Sequence, residues 1–228
     1  MALRRGLAEA RPRFLEVGVW LQPDPSIPRQ TDNVSALGFL SVSAATDDKG
    51  FHPVARSCVE RRFRDAGATF EERAGWLVPV ALPGEQNRRA SVGIADLSHL
   101  AKAELRPAPG AIAGDAVLYR ISPRRALVLG SAESVALAAS SGATTIDVTG
   151  SLGILAIVGP EASTVIRRLT HLHDFPKGGE VAHVTAHVLP ANDGYWLVFA
   201  QELGDYLYEV VVDRAAALGG GPIGVDAL

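Results

Sequence analysis

Few side chains in this 228-residue chain combine the right type and spacing for chemistry. His99 closes the run Asp96-Leu-Ser-His99, where it either shapes a pocket or is a hydrogen-bonded histidine at a strand end. His171 and His173, and again His183 and His187, would share one face of an extended strand. A zinc-type site needs further Cys, Asp or Glu ligands at workable spacing; none completes either pair, so no metal is expected. Cys58, the single cysteine, falls at apolar helix spacing and reads as a small core residue, with no histidine beside it in sequence to activate the thiol. Neither Gly159-Pro160 nor Gly219-Gly220-Gly221 is followed by the Lys-Ser/Thr of a phosphate loop, and no Gly-x-Ser-x-Gly elbow occurs. Taken alone, Trp76 and Tyr119 read as core aromatics and Asp115 as a solvent-facing residue at a strand entry.

The elements that must position such residues are organised around Thr145–Asp174. Ser151 to Val158 is nearly continuous apolar sequence, short and rich in branched side chains, which predicts a strand buried on both faces. Gly159 marks a turn. Pro160 suits a first helical position, where its missing N–H has no intrahelical partner, and Glu161 places negative charge at the positive end of the helix. Ala162, Val165, Ile166 and Leu169 form one apolar stripe, with Arg167 and Arg168 facing away from it near the C-terminal end.

The segment DVTGSLGILAIVGPEASTVIRRLTHLHDFPKG resembles the strand–Gly-Pro–helix unit of the glycine cleavage aminomethyltransferase and of the small gamma subunit of heterotetrameric sarcosine oxidase, both members of the folate-binding transferase superfamily. A second block, Phe70–Lys102, is similar to the N-terminal pattern of the aminomethyltransferase: Gly75-Trp76-x-x-Pro79, then Arg89-x-x-x-Gly93, then Asp96-x-Ser98-His99. With the closing GGGPIGVDAL the likeness covers roughly residues 53–228. It implies an α+β, folate-binding aminomethyltransferase-like domain over 51–228, with mixed or antiparallel sheets, packed helices and two similar halves, preceded by an extension and linker over 1–50.

In the resembled transferase an aspartate near a Gly-Gly-x-x-Asp-Asp segment faces the reactive nitrogen of tetrahydrofolate. The matching stretch is Gly110-Ala-Ile-Ala-Gly-Asp115-Ala-Val-Leu-Tyr119-Arg120, so the resemblance assigns that role to Asp115, with His99 helping to shape the pocket. A carboxylate can hold a cationic amine or iminium and stabilise the charge that develops as a one-carbon unit moves. Trp76, Tyr119, Arg120 and Asp205 are the corresponding candidates for folate contacts, Asp205 standing in Glu202-Leu-Gly-Asp205-Tyr-Leu-Tyr-Glu209 where the family carries a pterin-binding carboxylate. Two departures stand out. Gly114 replaces the first acid of the pair, and Lys102 lies too near Asp115 for the family's intervening helix-containing segment.

The resemblance therefore leaves three functions open. One is a tetrahydrofolate-binding, aminomethyltransferase-like protein that handles a one-carbon unit on a small amine. Another is a non-catalytic gamma-type subunit docked on a flavoprotein oxidoreductase, or a homo-oligomer. The third is a truncated pocket turned to another small molecule. With 22 basic and 25 acidic residues interspersed and a net charge of −3, no basic face suggests nucleic acid or an anionic membrane. No apolar run reaches the ~18 residues of a membrane span, and no signal-peptide core follows Arg4 and Arg5, so a cytoplasmic protein is expected.

Along the chain, Pro23, Pro25 and Pro28 mark Gln22–Arg29 as a linker, behind an apolar knot of Phe14, Val17, Val19, Trp20 and Leu21. A helix is predicted from Pro53 through Cys58 to Phe63, ended by Gly67. Strands Thr69–Arg73 and Trp76–Leu82 follow, joined at Ala74-Gly75, then a short polar helix over Gly84–Val92. Gly93–Leu97, Lys102–Arg106, Ala116–Ile121 and Ala126–Leu129 read as strands and Ala132–Ala139 as a helix. Val181–Leu189 and Tyr195–Ala200 form a hairpin through Asn192-Asp193-Gly194, and Glu202–Leu218 is the final helix. Strand pairs followed by a helix recur on either side of Gly142.

Overall fold

The computed structural model describes the backbone of residues 14–17 and 20–23, and residues 53–140 and 143–228 in full. The chain divides at Pro53 into two units. In the first, β1 (Phe14–Val17) pairs antiparallel with β2 (Trp20–Pro23). The predicted linker Gln22–Arg29 overlaps this hairpin at Gln22 and Pro23, which pair with Leu15 and Phe14. The rest of the linker, and Gly142, lie outside the described residues.

The second unit opens on β3 (Ala55–Arg56) rather than on the predicted helix. Ala55 N–H donates to Gly75 O at 2.8 Å, and the segment pairs parallel with β5 (Trp76–Ala81), so a sheet edge has captured it. Helix α1 spans only Glu60–Asp65, leaving Cys58 before it. Cys58 still packs as a small core residue: a Cβ at Gly204 would meet its Sγ at 2.3 Å. Strand β4 (Thr69–Arg73) joins β5 through Ala74 and Gly75, both at positive φ, as the two-residue hairpin reading requires.

After α2 (Glu85–Arg89) come β6 (Gly93–Asp96), β7 (Ala101–Arg106), β8 (Val117–Ser122), β9 (Arg125–Gly130) and α3 (Ala132–Ala139), whose N-cap Ser131 accepts from Ser134 N–H. The second half contains β10 (Thr144–Asp147), β11 (Leu152–Val158), α4 (Ala162–Leu169), β12 (Lys177–Val181), β13 (Val184–Ala191), β14 (Gly194–Ala200), α5 (Gly204–Ala216) and β15 (Gly221–Pro222). Hairpin followed by helix thus recurs, as β4–β5–α2, β8–β9–α3 and β13–β14–α5. One difference matters below. The predicted strand Val181–Leu189 is cut in two by a tight turn at Ala182-His183.

The strands form a six-stranded sheet, β12-β13-β14-β11-β6-β15, a four-stranded sheet, β10-β7-β9-β8, and the small sheet β3-β5-β4. Pairing is antiparallel except β15–β6 and β3–β5, the mixed α+β architecture expected from the order of elements. β11 explains the layering. Leu155 and Ile157 join the core under α1, α4 and α5, while Ile154, Ala156 and Val158 face the four-stranded sheet and meet Leu127 and Leu129. The other face of that sheet, through Leu105 and Val128, covers α3 at Val135 and Ala138. The order of layers is helices, sheet, sheet, helix.

Phe63 in α1 is fully buried, edge-on to Tyr208 of α5 with ring centroids 5.2 Å apart. Phe63→Ala is expected to lower the unfolding free energy by about 3–5 kcal/mol, the range for deleting a buried aromatic ring. Leu137→Ala, on the exposed side of α3, is expected to shift it by less than about 0.5 kcal/mol, both changes being read from urea titrations.

Candidate functional site

His99 lies in the turn between β6 and β7, half-buried, and its surroundings are the most polar part of the interior. Asp96 ends β6 and is 1% exposed; its Oδ1 accepts from Ser98 N–H at 2.9 Å. Ser98 Oγ accepts in turn from Ile154 N–H at 3.1 Å, which ties the turn to β11. Lys102, fully buried on β7, reaches back so that its Nζ donates to Ser98 O at 2.8 Å and Leu100 O at 2.6 Å. Its ammonium lies 5.9 Å from the Trp76 ring centroid. Lys102 thereby closes the 98–100 turn from inside and holds His99 at its apex.

Burial sets the protonation of this group. Loss of water pushes the Asp96 carboxyl up, against the stabilising hydrogen bonds of Ser57 and Ser98. Burial also pushes His99 down, with Asp96 opposing it, so the imidazole is held toward its neutral form. Burial lowers Lys102 to about 8, opposed by Asp96, and raises the Cys58 thiol to about 11, the Asp96 charge adding to that rise. A thiol so placed is not a nucleophile at neutral pH. What the arrangement can do chemically is hold one neutral, half-exposed imidazole in a fixed position.

The structure brings together His99, Trp76 and the unpredicted Lys102 and Asp96. The other candidates are each engaged with a different neighbour. Asp115 is exposed and accepts a short hydrogen bond from Ser134 Oγ beside the start of α3. Tyr119 is buried between the two large sheets, its hydroxyl 3.2 Å from His187 Nδ1 and the two rings 5.2 Å apart. Burial raises its phenol, and burial lowers His187. Arg120 is exposed, donating to Pro109 O at 2.9 Å and to Gly110 O. Asp205 at the start of α5 is held by Arg62 at 2.6 and 2.7 Å, and that guanidinium pushes its carboxyl below the ordinary range. The space between the two large sheets is filled by Leu127, Leu129, Ile154, Ala156 and Val198. Among the described residues no cluster of His, Cys, Asp or Glu could hold a metal, and no helix is long and apolar enough to cross a membrane.

Sequence reasoning passed over Asp96 and Lys102 although both stand in the quoted blocks. The available signal was Lys102 itself, a charged residue between Ala101 and Ala103 whose partner at i+2, Glu104, shares its inward face of β7. Glu104 is likewise buried, and Arg125 and Arg106 hold its carboxyl down.

No family model matches the chain. The aminomethyltransferase of Mycobacterium tuberculosis is 26% identical over 219 residues, covering 74% of this chain and 59% of that protein. That of Frankia alni is 26% identical over 227 residues, covering 75% and 61%. This chain thus spans about three fifths of the length of the curated relatives it matches. Among solved structures, glycine cleavage aminomethyltransferase from Bartonella henselae superimposes with a TM-score of 0.58 at 18% identity, over 76% of this chain and 60% of that one. A chain of heterotetrameric sarcosine oxidase from Corynebacterium sp. U-96 gives 0.52 at 12% identity, over 75% of this chain and 99% of that one. The fold is that of the aminomethyltransferase and of this sarcosine oxidase chain, as the two sequence blocks implied.

The buried lysine has a measurable consequence. Between its folded value of about 8 and its ordinary 10.5, the unfolded chain binds more protons than the folded one, so Lys102 makes stability rise with pH. Cys58 acts in the opposite sense above its ordinary 9.0, because its folded value of about 11 keeps the proton on in the native state. The urea midpoint is expected to climb from pH 8 to 9 in the parent protein and not in Lys102→Met; identical profiles for the two would contradict the assignment.

Proposed function

We propose that this chain is a non-catalytic, gamma-type subunit of a sarcosine oxidase-like flavin oxidoreductase, an aminomethyltransferase-type scaffold that serves its partner by docking. The observation that carries this reading is the place of Asp115. The connection 107–116 is too short to hold the family's wall segment, and Asp115, where the resemblance puts the carboxylate facing folate, lies on the surface against Ser134. Three further folate candidates, Tyr119, Arg120 and Asp205, are committed to His187, to backbone carbonyls and to Arg62 respectively. These residues do not fit a common tetrahydrofolate site. Support comes also from the sarcosine oxidase chain, nearly all of which is covered by the superposition. The lone half-buried Cys58 fits a cytoplasmic setting.

A second reading is supported by one specific observation, that the curated matches all carry the name aminomethyltransferase. In it the protein binds tetrahydrofolate and handles a one-carbon unit on a small amine, with His99 and Trp76 as the contacts that remain together. Two measurements separate the readings. Under the first, the tagged chain purified from its own organism elutes with a stoichiometric flavoprotein that carries flavin absorbance, and calorimetry with millimolar tetrahydrofolate gives no heat. Saturable heat that His99→Ala abolishes, with a chain that elutes alone, would overturn the subunit reading in favour of the transferase.

A further inference from the structure

We propose that the cavity between the end of α4, the β12–β13 turn and α5 is a binding site for a small organic anion, an apolar body that carries a phosphate or carboxylate. Its volume of about 560 Å3 lies within the range of small-molecule sites, roughly 300–1,000 Å3. Arg167 and Arg168 enter it from the last turn of α4 and Arg214 from α5, against a single lining carboxylate, Glu180. Three guanidiniums facing one acid is a local excess of positive charge in a chain whose net charge is −3.

The partners of these arginines sharpen the point. Arg62 and Arg73 each hold a carboxylate elsewhere on the surface, and Arg125 holds the buried Glu104. Arg168 makes no side-chain hydrogen bond or ion pair among the described residues, Arg167 meets only the Thr164 hydroxyl at 3.2 Å, and Arg214 leans on Asp213 of its own helix. A planar guanidinium with free donors matches the oxygens of a phosphate or carboxylate two at a time. Below the arginines the walls are apolar: Leu169, Leu172, Ala182 and Val210, with the ring of Tyr206, among the described residues one of the few large apolar side chains left substantially exposed.

The turn at the cavity's edge is held by contacts from α4 and α5. Ala182 and His183 form a two-residue hairpin turn with φ of 48° and 65°, conformations that Gly or Asn would adopt far more readily. Such backbone persists only where surrounding contacts enforce it. Here Ala182 N–H donates to Leu169 O at 2.7 Å and Ala182 O accepts from the Tyr206 hydroxyl at 2.9 Å, which leaves the His183 imidazole exposed at the cavity with Glu180 at 3.2 Å. Cations at a helix C-terminus offset the helix dipole, which accounts for Arg167 and Arg168. That accounts neither for Arg214, from a different helix, nor for the enforced turn and the apolar floor.

Phenyl phosphate, an aromatic ring bearing a dianion, is the probe, titrated into the isotope-labelled full chain and followed by two-dimensional amide NMR. Saturable shifts are expected on amides of 167–172, 180–183 and 206–214. Arg168→Ala and Arg214→Ala are each expected to weaken binding about tenfold, the loss of one charge-assisted contact. Arg124→Ala, at the distant β8–β9 turn, is expected to leave it unchanged. Benzyl alcohol, the uncharged counterpart, tests the charge without any substitution and is expected to give no saturable shift in the same range. The proposal is overturned if phenyl phosphate gives no saturable shifts, if they fall elsewhere, if benzyl alcohol binds equally well, or if both arginine variants bind like the parent. It stands apart from the subunit reading, since the cavity is formed by this chain alone.

Discussion

Everything in the second unit depends on β11 being covered on both faces. A strand with water on one side needs alternating polarity; this one spends Leu155 and Ile157 on the helical layer and Ile154, Ala156 and Val158 on the opposing sheet. It pairs with β14 along its whole length and with β6 at its far end, so both its edges and both its faces are used. The corner after it is correspondingly tight. Gly159, at φ 112°, donates to Asp193 O, and a Cβ there would meet Ser91 O at 2.8 Å, so only glycine lets the chain leave the sheet at this point.

A centre so committed to apolar packing constrains every polar group near it. Asp96 and Lys102 flank the turn that brings β6 over to β7, and neither can reach water; Asp96 is answered by the Ser98 N–H and by the Ser57 and Ser98 side chains, Lys102 by the carbonyls of Ser98 and Leu100. Charges placed this way cost stability relative to an apolar pair and survive by fixing a geometry. What they fix is the 97–100 turn and, with it, His99. The same reasoning covers Glu104, which is buried but sandwiched between Arg106 and Arg125.

How much of this was legible in the sequence follows from the range of the interactions involved. β11 and the hairpins at Ala74-Gly75 and Asn192-Asp193 were readable, because an apolar run and a turn dipeptide are local signals. The break at Ala182-His183 was not, since neither residue is a turn former and the conformation is imposed by Leu169 and Tyr206 from other elements. The spacing of β3 suits a helix as well as a strand, and what decides for the strand, the bond from Ala55 N–H to Gly75 O, comes from a later hairpin. For the site, the motif Asp96-x-Ser98-His99 led to the right turn, yet the Arg62 clamp on Asp205 and the His187 contact of Tyr119 span much of the chain and leave no trace in spacing.

These facts bear on where function can reside. In this chain the gap between the large sheets is packed with side chains that are less than a tenth exposed. A filled centre of that kind stabilises the scaffold and leaves recognition to its periphery, where backbone can be held in costly conformations and charge can be concentrated without desolvation. The α4–β12–α5 rim meets both conditions: a turn enforced by its neighbours and arginines without carboxylate partners across the cavity.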